Sequence, residues 1–139
     1  MKVVVYGLSQ IGKNLAVFFS ESFFDVIVID EDQAALDALS AKFDIQTKCG
    51  NGASVSSLEQ AEINGVDLFI AASRSDEKNI LAAHFAKSVF KAKYSSAYLV
   101  HSDFMTHTPQ EFLQESGLDI DRLISSEKII RSVSCRRNS

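Results

Sequence analysis

The chain has 139 residues, 46% hydrophobic and 23% charged, with a formal net charge of −4. That length fits one self-sufficient domain, and that charge offers no basic field to nucleic acid or an anionic membrane surface. No apolar run approaches the roughly 20 residues of a membrane-spanning helix, which excludes direct membrane insertion of these residues.

Met1-Lys2 leads directly into the strand-like run Lys2 to Tyr6, without the apolar core of a signal peptide. Gly7-Leu8-Ser9-Gln10-Ile11-Gly12 follows at once. This is a dinucleotide-binding fingerprint with its middle glycine replaced by Ser9. Gly7 permits the tight turn, and Gly12 lets the next helix lie against the strands. The helix runs from about Ile11 to Ser22, with Ile11, Leu15, Phe18 and Phe19 on one stripe and Ala16 keeping the contact face small. Its leading amides lack intrahelical partners and carry the positive end of the helix dipole, so a pyrophosphate suits that position. The Ser9 Cβ narrows the approach, while its hydroxyl offers a donor to a phosphate oxygen. Phe23-Phe24 are expected to seal the helix end against the sheet.

The second strand, Val26 to Asp30, ends on a carboxylate that can accept from both ribose hydroxyls and so favours a 2′-hydroxyl over a 2′-phosphate. Glu31 stands beside it. Asp32 reads as an N-cap, or a second ribose contact, for a helix over Gln33 to Phe43 with Ala35, Leu36, Leu39 and Phe43 at helical spacing. A short strand over Ile45 to Lys48 reaches the turn Gly50-Asn51-Gly52, and Ser54 or Ser56 caps a short helix through Ala61. Asp67 to Ala72 is almost wholly apolar, as a parallel strand buried on both faces is. Ser73-Arg74-Ser75 forms the loop after it, where open α/β sheets bind ligands. Arg74 either meets a phosphate or pairs with Asp76 or Glu77. Asp76 is expected to cap a helix reaching about Phe90, closed by Lys91-Ala92-Lys93. Ala97 to Val100 makes strand five. Thr108-Pro109 opens a helix that Gly117 ends, and Asp121 to Ile124 makes strand six. Ser125 or Ser126 opens a last helix carrying Ile129, Ile130 and Val133, an apolar stripe that folds onto its own sheet or meets a partner.

Six strands alternating with helices spell an α/β fold: a Rossmann-type, doubly wound, parallel six-stranded sheet with helices on both faces. Residues 1–139 read as one domain, with 120–139 supplying the last strand and a helix for dimerisation. His84 sits mid-helix as a packing or surface residue. His101 and His107 flank Ser102 and Asp103, but no strained Gly-x-Ser-x-Gly elbow supports a triad. Cys49 and Cys135 lie far apart without paired-ligand spacing, as free thiols in a reducing cytoplasm, and no His/Cys/Asp/Glu cluster has metal spacing.

The residues from Met1 to Gly12, the strand ending Val28-Ile29-Asp30, Gly50-Asn51-Gly52-Ala53-Ser54, the block Ala71-Ala72-Ser73-Arg74-Ser75-Asp76-Glu77-Lys78-Asn79, and the closing Asp121 to Glu127 resemble one family. It is that of the N-terminal (RCK, or KTN) domain of Trk potassium-uptake regulatory proteins. The resemblance implies a cytoplasmic domain that binds NAD(H), or ATP or ADP, and passes its occupancy to a membrane potassium transporter or channel subunit while pairing into homodimers or larger rings. It implies that Gly7, Ser9, Gln10 and Gly12 surround the phosphates and that Asp30 holds the adenine-side ribose, with Leu8, Ile11, Glu31, Asn79 and His101 also among the cofactor-binding residues. Gly50, Asn51 and Gly52 would lie near the adenine, with Ser73 and Arg74 toward the phosphates or the distal half. After strand five, His101 stands where the family carries arginine. With so little fixed positive charge, a diphosphate such as NAD(H) or ADP suits the site better than ATP. The family usually continues into a C-terminal ligand-sensing subdomain, so the chain reads as a fragment of a longer protein. The competing readings are the coenzyme domain of an NAD-dependent oxidoreductase and a non-binding oligomerisation scaffold.

Overall fold

Val3 to Tyr6 alternate their side chains across the sheet, and that alternation sorts the whole core. Val3 and Val5 pack with Val26 and Val28 on one face, against Ala16, Leu36 and Leu39. Val4 and Tyr6 pack with Ile27 and Ile29 on the other, against Leu58, Ala82, Ala83 and Ala86. Helices therefore cover both faces. The computed structural model describes residues 1–101 and 108–125.

The elements are β1 (Lys2–Tyr6), α1 (Gln10–Glu21), β2 (Asp25–Asp30), α2 (Gln33–Ser40), β3 (Gln46–Cys49), α3 (Val55–Gln60), β4 (Leu68–Ala71), α4 (Asp76–Ser88), β5 (Tyr94–Leu99), α5 (Pro109–Ser116) and β6 (Arg122–Ser125). The strands form one sheet in the order β3-β2-β1-β4-β5-β6. Each neighbouring pair is parallel, for example Val5 beside Val28 and Ile70. The order reverses at β1, which lies between β2 and β4, so the loops after β1 and β4 diverge to opposite faces and leave a crevice.

Side chains at the helix starts fix the boundaries. Asp32 accepts from Ala35 N, Ser54 from Ser57 N, and Thr108 shares a capping box with Glu111. Gly117, left-handed at φ 72°, ends α5. α4 departs from expectation: Ser75 is its cap, accepting from Lys78 N, and Asp76 is already helical. The Asp76 side chain turns inward and is buried.

β5 begins at Tyr94, ahead of the expected Ala97. Ser95 and Ser96 look like loop residues but are buried, and Ser95 Oγ donates to the Ala83 carbonyl at 3.0 Å. The small Ser95, facing the alanines of α4, lets helix and strand approach closely. Strand six starts one residue late because Asp121 is used as a clasp, accepting from Ser95 N and pairing with Lys87, both at 2.8 Å.

Phe24 packs with the α1–α2 core, whereas Phe23 takes φ 67° at the reversal and is 96% exposed. A left-handed turn there throws its ring outward, so only one of the two phenylalanines seals the helix end. Phe18 is exposed as well, leaving Gly12 and Ala16 as the buried residues of α1. Ile129, Ile130 and Val133 of the expected last helix, the terminal Cys135 and Arg136-Arg137, and Ser102, Asp103 and His107 lie outside the described residues.

Candidate functional site

The crevice is a cavity of about 170 Å³ lined by Tyr6, Gly7, Leu8, Ser9, Asp30, Glu31, Ser73 and Arg74. It therefore gathers the tips of β1, β2 and β4 at the point where the sheet order reverses. Seven of the expected site residues meet there. Tyr6 is the addition, carrying no signal in the sequence beyond ending β1.

Close contacts dictate both fingerprint glycines. Gly7 has φ +99°, and a Cβ on it would lie 2.4 Å from Ser73 N and Cα. A Cβ on Gly12 would lie 2.0 Å from the Gly7 carbonyl oxygen. Ser9, by contrast, has φ −66° and ψ 172°, open to any residue, and serves as the N-cap. Its Oγ accepts from Gly12 N at 3.2 Å and donates to the Ala72 carbonyl. The hydroxyl proton expected to face a phosphate is thus engaged by β4's end. The first α-type bond of α1 runs from Lys13 N to Ser9 O, which leaves the Gln10 and Ile11 amides without helical acceptors. The Gln10 side chain donates along the helix to Asn14, and Gln10, Ile11 and Gly12 stand behind the cavity lining.

The acidic rim forms at the tip of β2. Burial, then the charges of Glu31 and Asp32, raise the Asp30 carboxyl above the ordinary aspartate range. Tyr6 donates from its phenol to Glu31 Oε1 at 2.6 Å. Burial, then the Glu31 carboxylate, push that phenol well above its ordinary range. Glu31 Oε2 also meets Lys78 at 3.6 Å, a half-exposed pair that adds little stability.

The cationic contribution comes from Arg74. It is exposed and makes no ion pair with a described residue. Of the two readings of Arg74, the pairing with Asp76 or Glu77 is not formed. Asp76 accepts from the amides of Val100 and His101 at 2.6 and 2.8 Å, and Glu77 accepts from the Ser75 hydroxyl.

Several expected residues shape the crevice without lining it. Gly50 N donates to the Asp30 carbonyl at 3.0 Å, tying the β3–α3 turn to β2's tip. Asn51 Oδ1 accepts from Ala53 N. Gly52 lies on the Tyr6 ring, where a Cβ would come within 2.5 Å of three ring carbons. His101 is exposed and takes part through its amide. Asn79 is the largest correction. It is fully buried, with Oδ1 accepting from Ser73 N and Oγ and Nδ2 donating to the carbonyls of Ser73 and Tyr98. With its amide consumed inside the protein, it holds the Arg74 loop and has nothing left for a ligand. His84 is structural too, its Nδ1 accepting from Asp119 N at 2.9 Å. Among the described residues no group of three or more His, Cys, Asp or Glu is placed to hold a metal. None of their helices is long and apolar enough to cross a membrane.

A parallel 3-2-1-4-5-6 sheet, a glycine turn into a capped helix and a carboxylate on the adjoining strand define a Rossmann-type domain with a crevice where the strand order reverses. Residues 3–126 match the TrkA-N domain, and the chain belongs to that family. It is 29% identical over 130 residues to the Trk system potassium uptake protein TrkA of Halomonas elongata, across 94% of this chain and 28% of that protein. The chain thus spans little more than a quarter of the length of that relative. The TrkA-N domain of inner membrane protein ybaL from Escherichia coli has the same fold, with a TM-score of 0.78 at 14% identity over 99% of this chain and 96% of that one. So does the Kef CTD of Shewanella denitrificans, solved in AMP-bound form, with a TM-score of 0.65 at 16% identity over 88% and 71%.

Proposed function

We propose that this chain is the nucleotide-sensing domain of a potassium-uptake regulator. It takes NAD(H), or ADP with lower preference for ATP, into the β1–β2–β4 crevice. The observation that carries this reading is the meeting of the turn that enters α1 (Gly7, Leu8 and Ser9), Asp30 and Arg74 around one cavity. The pyrophosphate sits at the α1 N-terminus, beside Leu8 and Ser9, with Arg74 supplying the fixed positive charge. The adenine-side ribose hydroxyls donate to Asp30. One unpaired guanidinium beside three consecutive acids favours a diphosphate over a triphosphate and over a 2′-phosphate. Membership in the TrkA-N family and the potassium-uptake name of the Halomonas relative support a regulatory rather than catalytic role. The domain works on the cytoplasmic side, as a homodimer or larger homo-oligomer bound to a membrane potassium transporter or channel subunit.

Calorimetric titration with NAD+, NADH, ADP, ATP and NADP+ tests this reading. Micromolar-class binding of NAD+ or NADH, with NADP+ at least tenfold weaker, is the expected result. No heat with any of the five would refute the nucleotide site. Steady NADH oxidation with a panel of carbonyl compounds would refute the non-catalytic role. Arg74→Ala should weaken NAD+ about tenfold, the loss of one charge-assisted contact of roughly 1.5 kcal/mol.

The raised Asp30 carboxyl makes a further check through pH. The ribose hydroxyls need an ionised acceptor, so affinity is full above the Asp30 pKa and declines as pH falls through it. The decline should begin above the ordinary aspartate range. Asp30→Asn should bind about tenfold more weakly at neutral pH, from the loss of charge-assisted hydrogen bonds, and should lack this decline. An identical pH profile in Asp30→Asn would remove Asp30 from the ribose site.

A further inference from the structure

Ser9 has a single hydroxyl proton, and it goes to the Ala72 carbonyl at 2.5 Å. Ala72 continues into Ser73, whose amide and hydroxyl donate to Asn79 Oδ1 at 2.8 and 2.6 Å. Asn79 Nδ2 donates on to the Tyr98 carbonyl in β5 at 2.7 Å. One turn earlier on α4, Asp76 receives the amides of Val100 and His101 where the chain leaves β5. A line of polar contacts therefore runs from the cap of α1, past the end of β4, to Tyr98 in β5, and Asp76 on the same helix holds the next amides along. The two loops lie close together, since a Cβ added to Gly7 would fall 2.4 Å from Ser73 N and Cα.

We propose that Ser9 is a ligand-operated switch at the head of this line, a reading that rests on the nucleotide site described above. A phosphate oxygen arriving at the α1 N-terminus is an ionised acceptor and makes a stronger hydrogen bond than a neutral carbonyl. One proton cannot serve both, so Ser9 turns from Ala72 to the phosphate. The freed Ala72–Ser73 peptide then loosens the Asn79 and Asp76 clamps on residues 98–101. The bound and free states differ by a specific contact, which is what a ligand needs in order to shift a conformational equilibrium. A glycine at this position has no proton to exchange. It would bind phosphate through backbone alone and leave β5 uninformed.

Amide hydrogen exchange with and without saturating NAD+ tests the switch in the wild type and in Ser9→Gly, with affinity measured alongside. In the wild type, NAD+ should speed exchange at Val100 and His101 about five- to tenfold, the effect of weakening one hydrogen-bonded link. Ser9→Gly is compared at its own saturating NAD+ concentration, because it lacks the hydroxyl that would meet the phosphate. Even without ligand it should exchange at the rate of the liganded wild type, and NAD+ should then change those amides less than about twofold, well under one hydrogen bond's worth. Ser9→Ala keeps the Cβ but lacks the proton, and should be equally uncoupled. Slow exchange in ligand-free Ser9→Gly, or a wild-type-sized response in either variant, would overturn the switch while leaving the nucleotide site standing. A wild type that binds NAD+ with no change at Val100 and His101 would do the same. A wild type that binds no nucleotide would remove both.

Discussion

Asn79→Ala should cost the domain about 3 kcal/mol or more in urea denaturation, because several buried polar groups lose their partner together. The side chain is fully buried and makes four hydrogen bonds, two accepted from Ser73 N and Oγ and two donated to the carbonyls of Ser73 and Tyr98. Alanine satisfies none of them and leaves a hole in the buried site. A second variant separates shape from chemistry. Asn79→Asp keeps the volume but turns a carboxylate oxygen toward two carbonyl oxygens. Burial and those carbonyls would raise its carboxyl above the ordinary range. Protonation restores a donor, so the penalty in Asn79→Asp should shrink as pH falls through that raised value, whereas the alanine penalty should not move. A loss below about 1 kcal/mol for Asn79→Ala, the size of a single ordinary hydrogen bond, would contradict the clamp.

Gly12→Ala should be comparably damaging, and for a reason unrelated to hydrogen bonding. The added carbon would sit 2.0 Å from the Gly7 carbonyl oxygen and 3.2 Å from that of Ala72. Both neighbours are backbone, so nothing rotates away, and α1 must retreat from the turn it caps. Overpacking of this kind costs about 3 kcal/mol, and the displaced helix start should no longer present its amides to an anion. Gly117→Ala is the control. Gly117 has φ +72°, and a methyl carbon added there would meet nothing within 4 Å. The cost there is conformational alone, about 1 kcal/mol. Melting temperatures of the two variants check the ranking, and equal losses would refute the packing account.

The readable parts of this chain are those whose causes are local. Val3 to Tyr6, Val26 to Asp30 and Leu68 to Ala71 are apolar runs with no competing periodicity, so strands emerge from them at once. Asp32, Ser54 and Thr108 sit directly ahead of helical patterns, and each does cap. The fingerprint turn and the acid at β2's tip lie on adjoining strands and converge on one cavity for that reason.

Non-local causes stayed hidden. Asp76 looks like a cap until Val100 and His101, some twenty-four residues on, claim its carboxylate. Asn79 looks like a ligand group until Tyr98 and Ser73 consume its amide. Ser95 stands outside the expected strand because its burial depends on the alanine face of α4. Tyr6 ends an apolar strand, and only the Glu31 carboxylate and the bare Gly52 above its ring explain a phenol there. Residues that answer to a distant partner carry that partner's address nowhere in their own neighbourhood.

All six strands point the same way, so every strand begins at one pole and finishes at the other. Asp67 marks the starting pole, accepting from the Lys2 amide at 2.8 Å and pairing with Lys93 at 3.0 Å, and Met1 O receives Asp25 N beside it. The crevice occupies the finishing pole. A biosensor surface or fluorescent dye attached through residue 1 would consequently stand a full strand length from any captured small molecule, and should report its arrival without obstructing the entrance.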